Sequence, residues 1–372
     1  MKKRKIAFVI NEFGFFSSHR KKLVHYLSSF YDVTVITDLS NYTAPEENER
    51  YQLIHLENNK HLKNPFKFYF FSKKFLNIVN SIQPEHIFYV SLENCVFGAV
   101  MSRFLNVKKS FFLITGIGSF LEIDSLKKFL VKNIFCLCLR KFSEKEKTIY
   151  IFQNNNDAKD IENVISTKIE KAIIRGNGID INYFSYTNRN IENNKIAIKA
   201  LYASRLLDEK GVNEFFDAAK ELKNESYNID FSIAGSYDKT NKLSISQKIF
   251  EEIQNSNEIK YLGNVENQLM RDLYHSHDIF ILPSYREGLP VAALEAASTG
   301  MPLIMPNVPG CNECIINDCN GYLIEPRSIE SLKKAIKEIY KNKFLISKFS
   351  KQSRLIIEKN FEISIIGKKY KE

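Results

Sequence analysis

The order of apolar and polar positions predicts that the chain begins with a parallel α/β unit. KIAFVI reads as a buried strand, and HRKKLVHYLSSF places Leu23, Tyr26, Leu27 and Phe30 on one face of a helix. The strand-like runs DVTVIT, HIFYV, SFFLIT and TIYIFQ follow, with helical stretches between them. This alternation is typical of a doubly wound sheet, in which ligands bind beyond the carboxyl ends of the strands.

A second unit of the same kind follows a glycine-marked turn. The run IIRGNGIDINYF, residues 173–184, closes the first pattern, so we place the boundary between residues 185 and 186. Strand and helix patterns then alternate again through IKALYAS, IDFSIAG, IKYLG, DIFILPS, PLIMP and GYLIEP. We expect residues 186–350 to form the second Rossmann-like domain and residues 351–372 to be helical and to return to the first.

Length and composition agree with two globular domains. The chain has 372 residues, of which 44% are hydrophobic and 26% charged. No apolar stretch approaches the roughly 20 residues of a membrane-spanning helix, and IAFVI is too short for a signal peptide. We therefore expect a cytoplasmic protein whose six cysteines are reduced. Cys311, Cys314 and Cys319 lie close together, but no histidine is near them, which favours loop cysteines over a metal site.

Positive charge is concentrated in the first half. Residues 1–185 contain 27 Lys and Arg against 18 Asp and Glu, and so carry +9 of the total net charge of +10. This asymmetry indicates an anionic partner such as acidic lipid or nucleic acid, or else a solvated lysine-rich surface. FKFYFFSKKFLNIV and SLKKFLVKNIFCLCLRKF mix aromatic, aliphatic and basic residues at helical spacing. Such helices lie either at a membrane interface or against the sheet.

The pattern with the most chemical content is DIFILPSYREGLPVAALEAASTGMPLI, residues 278–304. Glu287 and Glu295 are separated by seven residues across a Gly-Leu-Pro turn that leads into a helix. Gly288 permits close backbone approach, Pro290 suits a first helical turn, and the amides exposed there can bind phosphate or sugar oxygens. The two carboxylates can therefore contact separate parts of one extended ligand.

This segment resembles the E-x7-E signature of retaining glycosyltransferases of the family-4 (group 1) type. The resemblance implies the GT-B fold, in which two Rossmann-like domains face each other across a cleft and C-terminal helices return to the first domain. It also implies that Glu287 lies under the donor sugar and that Glu295 binds the ribose hydroxyls. The backbone of Gly288, Leu289 and Pro290 would contact the sugar and the distal phosphate.

A second segment, LYASRLLDEKGVNEFFDAAKEL, is similar to the Arg-x4-Lys-Gly motif of the same family. The resemblance implies that Arg205 and Lys210 bind the donor diphosphate. Two fixed cations would stabilise the negative charge that grows on the leaving phosphate. The departing phosphate oxygen can itself take the proton of the acceptor hydroxyl. We therefore name Glu287, Arg205 and Lys210 as catalytic residues and expect no cofactor and no metal.

The other site residues also come from this resemblance. Within IKYLGNVENQLMRDLYHSHDIF it implies that Val265 and Leu269 flank the nucleobase. In the first domain it covers Gly14, assigned to the donor, and the acceptor candidates His19, Arg20, Thr115 and Gly116. His19 and Arg20 stand at the start of the first predicted helix, where they either bind a phosphate or cap the helix. The loop Thr115–Gly118 lacks the histidine that many family members have there.

The TGxG form of that loop resembles a subset of the family that extends polyprenyl-diphosphate-linked glycans in O-antigen, capsule or N-glycan assembly. We expect transfer of a hexose or N-acetylhexosamine from a UDP-linked donor to such an acceptor, at the inner face of the cytoplasmic membrane. A nucleotide-sugar epimerase or hydrolase on the same fold is an alternative. A nucleic-acid-binding protein is a weaker one, because no recognised nucleic-acid motif accompanies the positive charge.

Overall fold

The structure is a computed structural model that describes residues 3–40, 42, 50–57, 65–117, 126–143, 146–189 and 197–371. The chain divides into two compact units. Unit 1 contains residues 1–178 and 366–372, and unit 2 contains residues 179–365. Each unit is built on its own parallel sheet, as the two repeated strand and helix patterns predict.

Unit 1 has a seven-stranded parallel sheet of order β3-β2-β1-β4-β5-β6-β7. Its strands are β1 Lys5–Glu12, β2 Asp32–Asp38, β3 Gln52–His55, β4 His86–Val90, β5 Lys109–Ile114, β6 Thr148–Phe152 and β7 Lys171–Ile173. Its helices are α1 Phe13–Phe15, α2 Lys21–Leu27, α3 Pro65–Ile82, α4 Leu92–Met101, α5 Leu126–Phe142 and α6 Asn155–Ile165. A π-helical turn, Phe16–Arg20, joins α1 to α2.

The central strands of the unit 1 sheet are largely buried on both faces, which is why they are rich in consecutive apolar residues. On one face the rings of Phe8, Phe88 and Phe111 stack across β1, β4 and β5, with 4.6 Å between successive centroids. The helices α3 to α6 cover the opposite face through buried residues such as Phe75 and Phe97. The parallel register brings the carboxyl ends of β1, β4 and β5 to one edge.

Unit 2 has a six-stranded parallel sheet of order β10-β9-β8-β11-β12-β13. Its strands are β8 Ile198–Ala203, β9 Ile229–Ala234, β10 Ile259–Gly263, β11 Ile279–Ile281, β12 Leu303–Pro306 and β13 Gly321–Ile324. Its helices are α7 Val212–Asn224, α8 Gln247–Asn255, α9 Asn267–His275, α10 Val291–Ser298, α11 Ile329–Lys341 and α12 Phe344–Asn360. A last helix, α13 Ile363–Lys369, begins in unit 2 and ends in unit 1.

The division between the units differs from the sequence-based boundaries of 185/186 and 350/351. The segment after residue 178 packs on unit 2, where Phe184 is buried and the amide of Ile179 donates to the carbonyl of Phe361 at 2.7 Å. Helix α12 also packs there through Ile357. Only residues from 366 onward join unit 1. The helical character predicted for residues after 350 is confirmed by α12 and α13.

Helices α3 and α5 show both faces that the sequence suggested. Phe75 of α3 and Leu139 of α5 are buried against the sheet. The opposite face of α3 exposes Phe66, and that of α5 exposes Ile134. No helix within the described part of the chain is long and apolar enough to cross a membrane.

Candidate active site

The residues of the two unit 2 motifs meet at the carboxyl edge of the second sheet. A 3-10 turn, Asp208–Lys210, follows β8 and ends at Gly211, whose φ is 69°. A Cβ atom at this glycine would lie 2.1 Å from the carbonyl oxygen of Pro283, just after β11. Glycine is required here both for the left-handed backbone and for the close approach. The turn that carries Lys210 therefore packs closely against the residues that follow β11.

Lys210 and Glu287 form an ion pair at this edge. The Nζ of Lys210 donates to Oε1 of Glu287 at 2.7 Å, and the two side chains are 12% and 13% exposed. A charge-assisted bond of this length with little solvent around it is among the stronger hydrogen bonds in proteins. Among the described residues, each is the other's only side-chain partner. The pair joins the two predicted catalytic motifs, which are 77 residues apart in sequence.

Backbone contacts hold the loop of Glu287 against the turn of Lys210. The amide of Tyr285 and the hydroxyl of Ser284 both donate to the carbonyl of Glu209, at 2.8 and 3.1 Å. Below the turn, the phenol of the buried Tyr202 donates to the carbonyl of Lys210 at 3.3 Å. The geometry of the ion pair is therefore set by the main chain as well as by the two side chains.

Tyr285 adds a side-chain clamp to these contacts. Its phenol donates to Oε1 of Glu214, on α7, at 2.5 Å. The guanidinium of Arg327 lies over its ring at 4.4 Å from the centroid, a cation–π contact. Burial and the neighbouring carboxylate raise the pKa of this phenol, so it remains a proton donor. The clamp connects α7, the Glu287 loop and the segment after β13.

A second loop closes on the other side of Glu287. The amide of Glu287 donates to the carbonyl of Pro309 at 3.2 Å. Gly310 has a φ of 82°, and a Cβ there would lie 2.2 Å from the carbonyl oxygen of Glu287. This is the structural reason for a glycine at position 310, in the loop after β12.

Glu295 lies on α10, the helix that follows the Gly-Leu-Pro turn. Pro290 is the residue that precedes the first helical residue, Val291, and no side chain caps the helix. Oε2 of Glu295 accepts a hydrogen bond from the phenol of Tyr274 at 3.3 Å. Burial raises the pKa of Tyr274 well above its ordinary value, so the phenol stays protonated and holds this oxygen. The second carboxylate of the motif is thus oriented by α9.

The other predicted donor residues of unit 2 lie at the ends of neighbouring strands. Arg205 follows β8 and is exposed, and its guanidinium has no ion-pair partner in the part of the chain that the structure describes. Val265 follows β10 and is half-buried, whereas Leu269, on α9, is 52% exposed. Because the carboxyl ends of parallel strands meet at one edge, the structure places all of them at the same edge of the sheet as Lys210.

In unit 1 the structure alters the setting of His19 and Arg20. The helical run begins at Phe13, so the two residues lie in the π-helical turn and not at a helix N-terminus. Only His19 is exposed, and its Nδ1 lies 2.6 Å from Oγ of Ser18. Arg20 is 1% exposed and donates to the phenol of Tyr370 at 3.1 Å. The expectation that His19 and Arg20 stand at a helix start is therefore wrong, and Arg20 lies in the core.

The remaining unit 1 candidates lie beyond the carboxyl ends of strands. Gly14, in α1, approaches Tyr42 so closely that a Cβ would lie 2.3 Å from the phenol oxygen. Thr115 is half-buried after β5, and Gly116 has a φ of 137°, which favours glycine. Gly118, the last residue of the predicted loop, lies outside the described residues.

The clustered cysteines are packed as small apolar side chains. Cys311 and Cys314 are fully buried, and burial raises the pKa of the Cys311 thiol. Sγ of the half-buried Cys319 lies 3.8 Å from Oε1 of Gln352. Within the described ranges no group of three His, Cys, Asp or Glu side chains is arranged to hold a metal ion.

Sequence reasoning did not find the residues that orient the site. Tyr285 lies inside the motif segment, yet its partners Glu214 and Arg327 are remote in sequence. Tyr274 lies in the segment assigned to the base and gave no signal of its contact with Glu295. The one available hint was that Tyr285 directly precedes two charged residues, Arg286 and Glu287, in the motif.

The architecture is that of known GT-B glycosyltransferases. HepE of Anabaena, solved in complex with UDP and glucose, superposes with a TM-score of 0.78 at 13% identity, over 99% of this chain and 98% of that one. At this identity the likeness shows the fold alone. The two-sheet GT-B fold expected from the sequence is therefore confirmed.

Sequence comparisons relate the chain to glycosyltransferases. Residues 187–356, which lie within unit 2, match the family model of glycosyl transferases group 1, and together with the relatives below this match supports a glycosyltransferase. It is 27% identical, over 91% of its length and 89% of the relative's, to N,N'-diacetylbacillosaminyl-diphospho-undecaprenol alpha-1,3-N-acetylgalactosaminyltransferase of Campylobacter jejuni. It is 28% identical to UDP-Gal:alpha-D-GlcNAc-diphosphoundecaprenol alpha-1,3-galactosyltransferase of Escherichia coli, over 64% of this chain and 63% of that one.

Proposed function

We propose that the chain is a retaining glycosyltransferase that moves a hexose or N-acetylhexosamine from a UDP-linked donor to an undecaprenyl-diphosphate-linked glycan. The single observation that carries the proposal is the Lys210–Glu287 ion pair beside Arg205, at the carboxyl edge of the second sheet. This edge is where doubly wound sheets bind nucleotides. The names of the two relatives support the acceptor class, and relatives named for capsular polysaccharide and O-antigen biosynthesis support a role in bacterial surface-polysaccharide synthesis.

The cations would act on the leaving group. Cleavage of the bond between sugar and phosphate leaves a nucleoside diphosphate whose negative charge grows in the transition state. Arg205 is exposed to meet that charge, and Lys210 is held by the main chain at a fixed position. Because two cations and the amides at the start of α10 can neutralise the diphosphate, the proposal requires no metal and no cofactor.

The carboxylates would hold the donor. In this proposal Glu287 orients the sugar and Glu295, fixed by Tyr274, accepts hydrogen bonds from the ribose hydroxyls. Gly288, Leu289 and Pro290 present main-chain groups to the sugar and the distal phosphate, and Val265 and Leu269 flank the base. The partly exposed Leu269 would lose its contact with solvent when a base covers it. A departing phosphate oxygen takes the proton of the acceptor hydroxyl, so no protein base is required.

The acceptor would be met by unit 1 at a membrane. A polyprenyl diphosphate keeps its lipid chain in the bilayer, so the enzyme has to work at the inner face of the cytoplasmic membrane. The net charge of +9 in residues 1–185 supports attraction to anionic lipid rather than a role in nucleic-acid binding. His19, Thr115 and Gly116 remain the proposed acceptor residues, and Gly14 a proposed donor contact.

The test combines ligand binding with product analysis. A nucleotide sugar at 100 times its dissociation constant adds about 2.7 kcal/mol to the free energy of unfolding, which a thermal shift detects. We expect stabilisation by a UDP-sugar, loss of that stabilisation in Lys210→Ala, and transfer to a short-chain polyprenyl-diphosphate glycan. Release of free sugar without transfer would instead indicate the hydrolase, and an altered sugar still attached to UDP would indicate the epimerase.

A further inference from the structure

The outer face of α3 is unusual for a helix that packs on a sheet. Three of its aromatic side chains are largely exposed: Phe66 at 77%, Tyr69 at 60% and Phe70 at 66%. The rings of Tyr69 and Phe70 contact each other edge to face, with 5.6 Å between their centroids. A surface helix normally presents polar residues to water, and contiguous exposed aromatic surface marks an interaction site.

The charges on this face have one sign. Lys67, Lys73 and Lys74 are exposed on the same helix, and residues 65–82 contain no Asp or Glu. The aromatic residues and the lysines together form what we call the α3 outer face. Aromatic side chains next to lysines on one side of a helix are typical of helices that lie in the headgroup region of a bilayer.

The helix layer around α3 continues the same character. Phe68, Phe71 and Phe75 of α3 pack on Phe97 of α4, and α5 also packs on α4. Residues 126–142 of α5 contain four lysines, one arginine and no acidic residue. Exposed apolar residues are found in this layer as well, including Ile134 and Leu137 of α5. The inner sides of both helices remain in the core, so the exposed residues are not needed to hold the fold.

From these observations we infer that the α3 outer face docks on the surface of an anionic lipid bilayer, with Phe66, Tyr69 and Phe70 inserted between headgroups. The charge complementarity decides the occupant, because an all-basic aromatic face fits anionic lipid better than the mixed charges of a protein partner. The inference deepens the proposed function, on which it rests for the biological reason to approach a membrane.

Vesicle co-sedimentation of the full-length protein tests this inference. Large unilamellar vesicles of phosphatidylcholine alone are compared with vesicles that also contain phosphatidylglycerol. We expect binding to the anionic vesicles, weakened about tenfold or more in Phe66→Ser/Phe70→Ser because two aromatic rings no longer leave water. Lys73→Ala/Lys74→Ala should weaken it about 25-fold, since each lysine near an anionic surface contributes about fivefold.

Matched controls separate the surface from general effects. Phe344→Ser removes an aromatic ring of similar exposure, 68%, from α12 in unit 2, and Lys334→Ala removes an exposed lysine from α11. Both should bind vesicles as the wild type does. All of these residues are exposed, so unchanged thermal unfolding midpoints are expected and are measured for each variant.

The outcomes distinguish this inference from the proposed function. Equal vesicle binding by the wild type and the α3 variants, or binding to duplex DNA in preference to anionic vesicles, overturns the inference. If a UDP-sugar stabilises the protein but the protein does not bind vesicles, the membrane-docking role of the α3 outer face is refuted and the proposed transferase function stands. If the protein binds vesicles through α3 but binds no nucleotide sugar, the membrane-docking role of the α3 outer face stands and the proposed function is refuted.

Discussion

The Lys210–Glu287 ion pair makes a prediction that runs against simple intuition. In the structure Glu287 holds Lys210, the cation that the proposed function assigns to the donor diphosphate. Under that proposal a nucleoside diphosphate binds in competition with Glu287 for Lys210. Replacing Glu287 by Gln keeps the shape of the side chain and removes the competing charge. We expect Glu287→Gln to bind UDP more tightly than the wild type while sugar transfer is lost.

The size of the effect follows from the geometry. The bond is 2.7 Å long and its two side chains are 12% and 13% exposed, so screening by solvent is limited. Hydrogen bonds between charged groups contribute about 1.5 to 3 kcal/mol net. Gln can still accept a neutral hydrogen bond, so the lower end of this range applies. A gain of about 1.4 kcal/mol corresponds to a dissociation constant about tenfold lower.

Isothermal titration calorimetry with UDP at fixed ionic strength measures this change in the dissociation constant directly. Glu295→Gln is the control, because it removes one negative charge from the same site but not from Lys210, since its carboxylate is held by Tyr274. It should bind UDP no more tightly than the wild type does. Lys210→Ala should bind more weakly. If Glu287→Gln binds UDP as weakly as the wild type or more weakly, Glu287 does not compete for Lys210 and the reasoning is refuted.

Three further predictions come from the described contacts and a fourth from the proposed function. Tyr285→Phe should lower the free energy of unfolding by about 1 to 3 kcal/mol, because it removes the hydrogen bond that Glu214 accepts. An unchanged denaturation midpoint would show that this hydrogen bond does not stabilise the fold. Gly211→Ala should abolish UDP-induced stabilisation, since its Cβ meets the Pro283 carbonyl; retained nucleotide binding would show that the turn can move. Burial lowers the pKa of His277, so the folded state resists protonation and the free energy of unfolding should fall as the pH drops below about 6.5. His277→Gln should make this dependence on pH less steep in urea titrations. An equally steep dependence in the variant would show that another group causes it. Transfer should survive EDTA, whereas loss restored by added Mg²⁺ would show that a metal takes part.

Much of the fold could be predicted because its central strands are buried on both faces. HIFYV coincides with β4 to the residue, since a continuous apolar run has few alternative placements. IKYLG also coincides with β10, although only Ile259 of this edge strand is buried. The short strands β3 and β7 were not predicted. They have four and three residues and are partly exposed, so they show neither a continuous apolar run nor a clear alternation. They are strands because they pair with the neighbouring strands β2 and β6, and their own hydrophobic pattern does not show it.

The candidate site could be predicted as residue types but not as contacts. The spacing of the two carboxylates suggested Glu287 and Glu295, and the resemblance to a family motif suggested Arg205 and Lys210. The ion pair between Lys210 and Glu287 depends on Gly211 fitting against β11, which only the folded main chain shows. For Arg20, sequence suggested a surface cation, whereas the π-helical turn rotates it inward to Tyr370.

The composition of unit 1 from two separate stretches of chain has a consequence for synthesis in the cell. Residues 1–178 emerge first, but Ile366 and Tyr370, which pack on their core, follow only after roughly 190 further residues. At ribosomal rates of about 5 to 20 residues per second this gap lasts about 10 to 40 s. During that time Arg20 lacks its phenol partner, whereas the basic, aromatic face of α3 has already been synthesised. Unit 1 of the nascent chain therefore stays incomplete until its last residues are made.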